Sequence, residues 1–129
     1  MQSLRTKAAV LALALALVGL APGVSRADTL QGQPIYAQNN TNRTIWVAAQ
    51  YVPAGSSSFV SDGFWQINPG ERVLILYNNS RYIYFYARDG QGSVWTGNAA
   101  SGTVRGETLN MLRRDTGTGY DPWTMNFNP

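Results

Sequence analysis

Beyond Ala27 the general acids and bases of this sequence are carboxylates alone: Asp28, Asp62, Glu71, Asp89, Glu107, Asp115 and Asp121. It contains no His and no Cys, and its single Lys is Lys7. Ser–His and Cys–His nucleophile pairs, Ser–Lys dyads, Schiff bases and ordinary zinc sites are therefore excluded from the body of the chain. A hydrolase would have to work with two acids on facing strands. Asp62 precedes Gly63, Glu71 ends Asn68-Pro69-Gly70-Glu71, and Asp89 opens Asp89-Gly90-Gln91-Gly92. These are turn contexts, in which a carboxylate bonds nearby backbone N–H groups. Asp115-Thr116-Gly117 spells the aspartic-protease tripeptide, but that class needs a following barrel and a flap, for which few residues remain. Asp115 to Asp121 gathers oxygens without completing a calcium loop. The expectation is no catalytic residue, no metal site and no cofactor.

Aromatic residues form the other constellation able to recognise something. Val73 to Tyr77 and Tyr82 to Ala87 are rich in β-formers and flank the polar break Asn78-Asn79-Ser80-Arg81. This pattern predicts a hairpin with a four-residue loop. Closed symmetrically, it sets Tyr77 opposite Tyr82, Ile75 opposite Tyr84 and Val73 opposite Tyr86. The reverse face would carry Leu74, Leu76, Ile83 and Phe85, an apolar set that belongs in a core. Tyr77, Tyr82, Tyr84 and Tyr86 are thus the candidate ligand-binding residues. Three readings stay open. The sheet is buried on both sides with hydroxyls reaching backbone, or the tyrosines form a stacking platform for sugar rings or peptide, or they contact a membrane interface.

The elements that must position them are short strands. Gln33 to Gln38 alternates weakly behind Pro34 and suits an edge strand. Asn39 to Asn42 is a turn by composition. Thr44 to Tyr51 places Ile45, Val47, Ala49 and Tyr51 on one side, with Trp46 and Ala48 on the other. Phe59 to Ile67 is extended but interrupted at Asp62-Gly63 by a bulge or a tight turn. Val94 to Thr96 is a short strand, Gly97 to Gly102 a loop, Thr103 to Arg113 a strand, and Trp123 to Phe127 a last strand. Helical period is missing beyond the N-terminal region. The fold class predicted is all-β, a small antiparallel sandwich or partly open barrel.

Domain organisation follows from the first residues. Arg5 and Lys7 precede an apolar run from Ala8 to Leu20, broken by Pro22-Gly23, and Ser25-Arg26-Ala27 supplies small residues for cleavage. Residues 1–27 read as a signal peptide, and 28–129 as one β domain, exported to the periplasm or beyond. An uncleaved membrane anchor is the alternative. The formal charge of +3 belongs to the leader, because seven arginines balance seven acids after Ala27. A neutral domain has no field to draw phosphates, so nucleic acid is not an expected partner.

Several stretches occur in one order across the chain: Asn39 to Ala48, Gly63-Phe64-Trp65, Asn68-Pro69-Gly70-Glu71, Arg81-Tyr82-Ile83-Tyr84-Phe85-Tyr86-Ala87, Trp95-Thr96-Gly97 and Asp115-Thr116-Gly117. In this order the chain resembles the bacterial secreted family catalogued as domain of unknown function 1036. The resemblance implies a β-rich exported protein and carries no established activity. It also implies a disulfide that this chain lacks, since the family usually has Cys where Gln38 and Arg72 stand. A lost bridge of this kind costs about 2–4 kcal/mol. The function expected is a binding or structural envelope protein, with a glycan or an envelope protein as partner. The alternatives are a carboxylate-dependent hydrolase and a secreted effector.

Overall fold

The computed structural model describes residues 32–129, and the signal-peptide reading lies outside them. Nine strands follow one another without a helix among the described residues: β1 (Gln33–Asn39), β2 (Ile45–Tyr51), β3 (Val60–Ile67), β4 (Arg72–Asn78), β5 (Tyr82–Arg88), β6 (Val94–Trp95), β7 (Ala100–Val104), β8 (Glu107–Asp115) and β9 (Trp123–Phe127). They form two sheets, one of order β4-β1-β9 and one of order β3-β2-β5-β8-β7, with β6 beside β5. Neighbours are antiparallel except β1 and β9, which run parallel. The larger sheet curls into a half-barrel, so the all-β sandwich or open-barrel class holds.

Alternation along the strands places the core. Ile35 and Ala37 of β1, Ile45, Val47 and Ala49 of β2, Ile83, Phe85 and Ala87 of β5, and Met125 and Phe127 of β9 meet between the sheets with almost no exposed surface. Residues two apart on a strand point the same way, which is why each strand contributes every second residue.

The hairpin expected at Asn78 to Arg81 does not form. β4 pairs with β1, whereas β5 pairs with β2 and β8, so the two strands lie in different sheets. Asn78 fixes this corner. It is 2% exposed, its Oδ1 accepts the Val52 N–H at 3.2 Å, and its Nδ2 donates to Ser80 O at 2.7 Å. The Asn79 N–H donates to Val52 O at 2.7 Å. Backbone groups that a hairpin would satisfy across its own strands are satisfied here by the end of β2. Both strands can then turn an apolar face to the same core from opposite sides.

Leu74 is a second correction, being 40% exposed rather than core. The register runs Ile35↔Leu76 and then Tyr36↔Leu74, so Ile75 is an extra residue in β4. A one-residue bulge inverts the alternation beyond it. Leu74 moves outward beside Tyr36, and Val73 turns inward opposite Ala37.

β1 is a middle strand and not the expected edge. Pro34 is tolerated because pairing with β9 begins only at Ile35. The single strand expected over Thr103 to Arg113 is a hairpin of β7 and β8, and β7 begins at Ala100 inside the expected loop. Its turn, Arg105-Gly106, has φ of 51° and 81°, the two-positive-φ geometry that matches strand twist.

Gln38 and Arg72 are register partners across β1 and β4. The Asn39 N–H donates to Glu71 O at 2.9 Å, so the Gln38–Arg72 pair is of the non-hydrogen-bonded kind. Such pairs bring Cα atoms to about 4.5 Å.

Candidate functional site

β5 has two unlike faces. Ile83, Phe85 and Ala87 are fully buried, whereas Tyr82, Tyr84 and Tyr86 are half-buried on the other side. The tyrosines line the hollow of the curled sheet. Ala48, Val104, Leu109 and Met111 fill its floor, and Phe64, Tyr84 and Tyr86 pack against them. The small Ala48, opposite both Tyr86 and Gly63, lets rings from the flanking strands meet above β2. Phe64 meets Tyr86 edge-on at 6.5 Å, and Phe59 meets Tyr84 edge-on at 5.8 Å. Both are favourable aromatic geometries. β3 bulges between Gly63 and Trp65, where the sequence marked a break, and this places Phe64 on the hollow side.

The curl is held shut along one side. A Cβ at Gly102 of β7 would collide with Ser61 Oγ, so β7 crosses β3 where only glycine fits. The Arg105 Nε–H donates to Gly63 O at 3.1 Å and ties the β7–β8 turn to β3.

Register turns these strands into transverse rows. Ser61, Gln50, Tyr84 and Arg113 lie side by side across β3, β2, β5 and β8. The row carries a hydroxyl, an amide, a phenol and a guanidinium. Among the described residues, Gln50 Oε1 is the one buried side-chain polar atom with no hydrogen-bond partner. Arg113 forms no ion pair among those residues, and its guanidinium lies 4.9 Å from the centre of the Tyr82 ring. Arg81 approaches the same ring at 5.4 Å, but it is held by Asp115 at 2.8 Å. That hydrogen bond, together with the Gly117 N–H, keeps the Asp115 carboxyl below its ordinary pKa. Arg88, over the Phe64 ring at 4.5 Å, is paired with Glu107 at 2.6 Å.

The tyrosine quartet expected from the sequence is therefore three and one. Tyr82, Tyr84 and Tyr86 share the hollow. Tyr77 lies on the outer face of the other sheet, its pKa raised first by burial and then by Tyr36. The split follows directly from the absent hairpin. Phe59, Phe64, Gln50 and Arg113 join the site without having been read from the sequence. Only the bulge signal at Asp62-Gly63 bore on Phe64, because the others depend on which strands pair.

Of the three acids expected in turns, Glu71 and Asp89 lie there, whereas Asp62 lies within β3 beside its bulge. Asp62 accepts the Gly63 N–H at 2.9 Å, and Glu71 the Asn68 N–H at 2.8 Å. Asp89 accepts from Gln91 and Ser93 at 2.8 and 3.0 Å, with Arg43 at 3.6 Å. The Gln91 contact is the main cause of its lowered pKa. A second groove, between Arg43, Asp89 and Trp95, has Arg43 paired with Asp89, and the Trp95 Nε1–H donates to Asn128 O at 3.0 Å. The buried oxygen that lacks a donor among the described residues lies instead in the Gln50–Tyr84–Arg113 row.

Comparison with family models, with curated proteins and with solved structures finds no match to this chain.

Proposed function

We propose that this chain is an exported envelope binding module that holds a glycan on the tyrosine face of its curled sheet. The observation that supports this reading is the make-up of the row Gln50–Tyr84–Arg113. It joins half-buried aromatic surface to polar groups whose capacity the protein leaves unused. Sugar rings present an apolar C–H face and a rim of hydroxyls, and a wall of tyrosines flanked by the exposed Arg113 guanidinium and an amide oxygen without a donor answers both. The apolar floor of Ala48, Leu109 and Met111 holds that wall in place.

The test is retention on immobilised peptidoglycan and a panel of immobilised glycans. At least one matrix should retain the chain. Phe59→Ala, at a side chain 45% exposed, should release it while lowering the melting midpoint only by the loss of the edge-on contact with Tyr84. Retention that survives this substitution unaltered overturns the assignment of the surface.

A further inference from the structure

We infer that the glycan is acidic, with a carboxylate at Arg113 and a hydroxyl donating to Gln50 Oε1. The inference rests on the glycan reading above and names the ligand class. Two features of one transverse row carry it. Gln50 Oε1 is buried and lacks a donor among the described residues. Arg113 is exposed, lies directly across from Tyr84, and makes no ion pair among those residues. The closest acid on this face, Asp115, is already engaged by Arg81.

The chemistry of the row selects among anions. An amide oxygen only accepts, so its partner must carry a donor, whereas a guanidinium only donates, so its partner must be an acceptor. A sulfate or a fully ionised phosphate ester supplies acceptors alone, so without hydroxyls elsewhere in the ligand Gln50 is left unserved. A uronic acid supplies both, with ring hydroxyls on one side and a carboxylate able to take two guanidinium N–H groups on the other. An acidic peptide fits less well. β2 and β5 are interior strands with both edges paired, so a peptide backbone finds no ladder there. Tyr84 stands between Gln50 and Arg113, with the Phe59 ring edge-on beside it, where a pyranose ring would lie.

The experiment titrates the chain calorimetrically with short oligogalacturonate and with the same oligomer methyl-esterified. Vesicles of phosphatidylcholine containing phosphatidylglycerol form a third arm. The acid oligomer should bind, and esterification should weaken it by about tenfold or more, as expected for a lost charge-assisted pair. Arg113→Gln should bring the acid oligomer down to the esterified level while lowering the melting midpoint only by the loss of its contact with Tyr82. Gln50→Leu should weaken both oligomers alike. Should Gln50→Leu fail to fold, the acid and ester pair on the unmodified chain still decides. Equal binding of acid and ester overturns the acidic inference and leaves the glycan reading standing. Failure of both oligomers, while the glycan panel retains the chain, also overturns the inference alone. Binding to the anionic vesicles but to no glycan overturns both.

Discussion

The two faces of β5 are each packed, yet they are packed by different means. On one side Ile83, Phe85 and Ala87 are sealed by a second sheet, with Phe85 stacked on Trp123 at 6.2 Å and edge-on to Phe127 at 6.0 Å. On the other side Tyr84 and Tyr86 rest on a small cluster that the sheet encloses by curling on itself. A second sheet covers the whole face and excludes water, whereas a curl covers the floor and leaves a mouth. Residues at a mouth need an apolar body and a polar tip, and this is the physical reason for tyrosine there and phenylalanine opposite. The comparison also explains where binding capacity can reside. The sealed face has no room for a ligand, and the half-open face has unpaired groups as well as packing.

Truncation on the two sides should break this symmetry most strongly. Phe85→Ala should cost about 3–5 kcal/mol, and Met111→Ala, on the floor of the curl, about 2–3 kcal/mol. Urea midpoints measure both. A Met111→Ala loss as large as that of Phe85→Ala would mean that the curl is a full second core rather than a supporting floor.

A disulfide sharpens the comparison from the other sheet. Gln38 and Arg72 are opposed in a non-hydrogen-bonded pair, and their Cα spacing falls within the range a disulfide spans. Gln38→Cys with Arg72→Cys should therefore close a bridge in oxidant. The bridge should stabilise by about 2–4 kcal/mol, minus the loss of the Arg72–Tyr36 stacking now seen at 3.7 Å. Intact mass after thiol alkylation reports closure, and the reductant dependence of the midpoint reports the gain. Thiols that stay free in the folded protein would contradict the register of β1 against β4. Closure should leave the tyrosine face untouched, because the bridge belongs to the opposite sheet.

Strand existence was legible in the sequence wherever alternation was local and complete. β2 and β9 fall within a residue of their expected bounds, and the two faces of β2 divide as their residue types require. Pairing was not legible, because it is decided by distant partners. The break at Asn78 carries the composition of a hairpin loop, yet the Asn78 side chain is spent on Val52, 26 residues back in the chain. Arg105-Gly106 does form a hairpin, but Arg is not a usual residue at a positive φ, and the turn passed as strand. A single extra residue at Ile75 was enough to exchange Leu74 for Val73 on the core side. The site inherited these errors. Tyr77 was joined to the other tyrosines through a hairpin that is absent, and Gln50 and Arg113 entered only once β2 and β8 were known to flank β5.

The smallest expected effects lie within the tyrosine face itself and form a gradient. Tyr84 and Tyr86 pack on the floor cluster, and each also meets a phenylalanine ring, so both contribute to folding. Tyr82 does neither. Its ring lies between the guanidiniums of Arg81 and Arg113 at 5.4 and 4.9 Å, at the rim of the hollow. Cation–π contacts at exposed positions contribute about 0.5–1 kcal/mol each. Arg81 keeps its Asp115 partner when the ring is removed. Tyr82→Ala should therefore cost about 1–2 kcal/mol, the sum of the two contacts. Tyr84→Ala and Tyr86→Ala should fall between it and Phe85→Ala, since half-buried rings forfeit only part of the transfer and cavity cost. Because Arg113 stacks on Tyr82, losing the ring frees the guanidinium to swing, and glycan affinity should fall although the stability loss is the smallest of the three. Midpoints and affinities measured on the same three variants separate packing from recognition residue by residue. A loss of stability for Tyr82→Ala matching that of Tyr84→Ala would place Tyr82 on the floor with the others, and the mouth of the curl would then begin elsewhere.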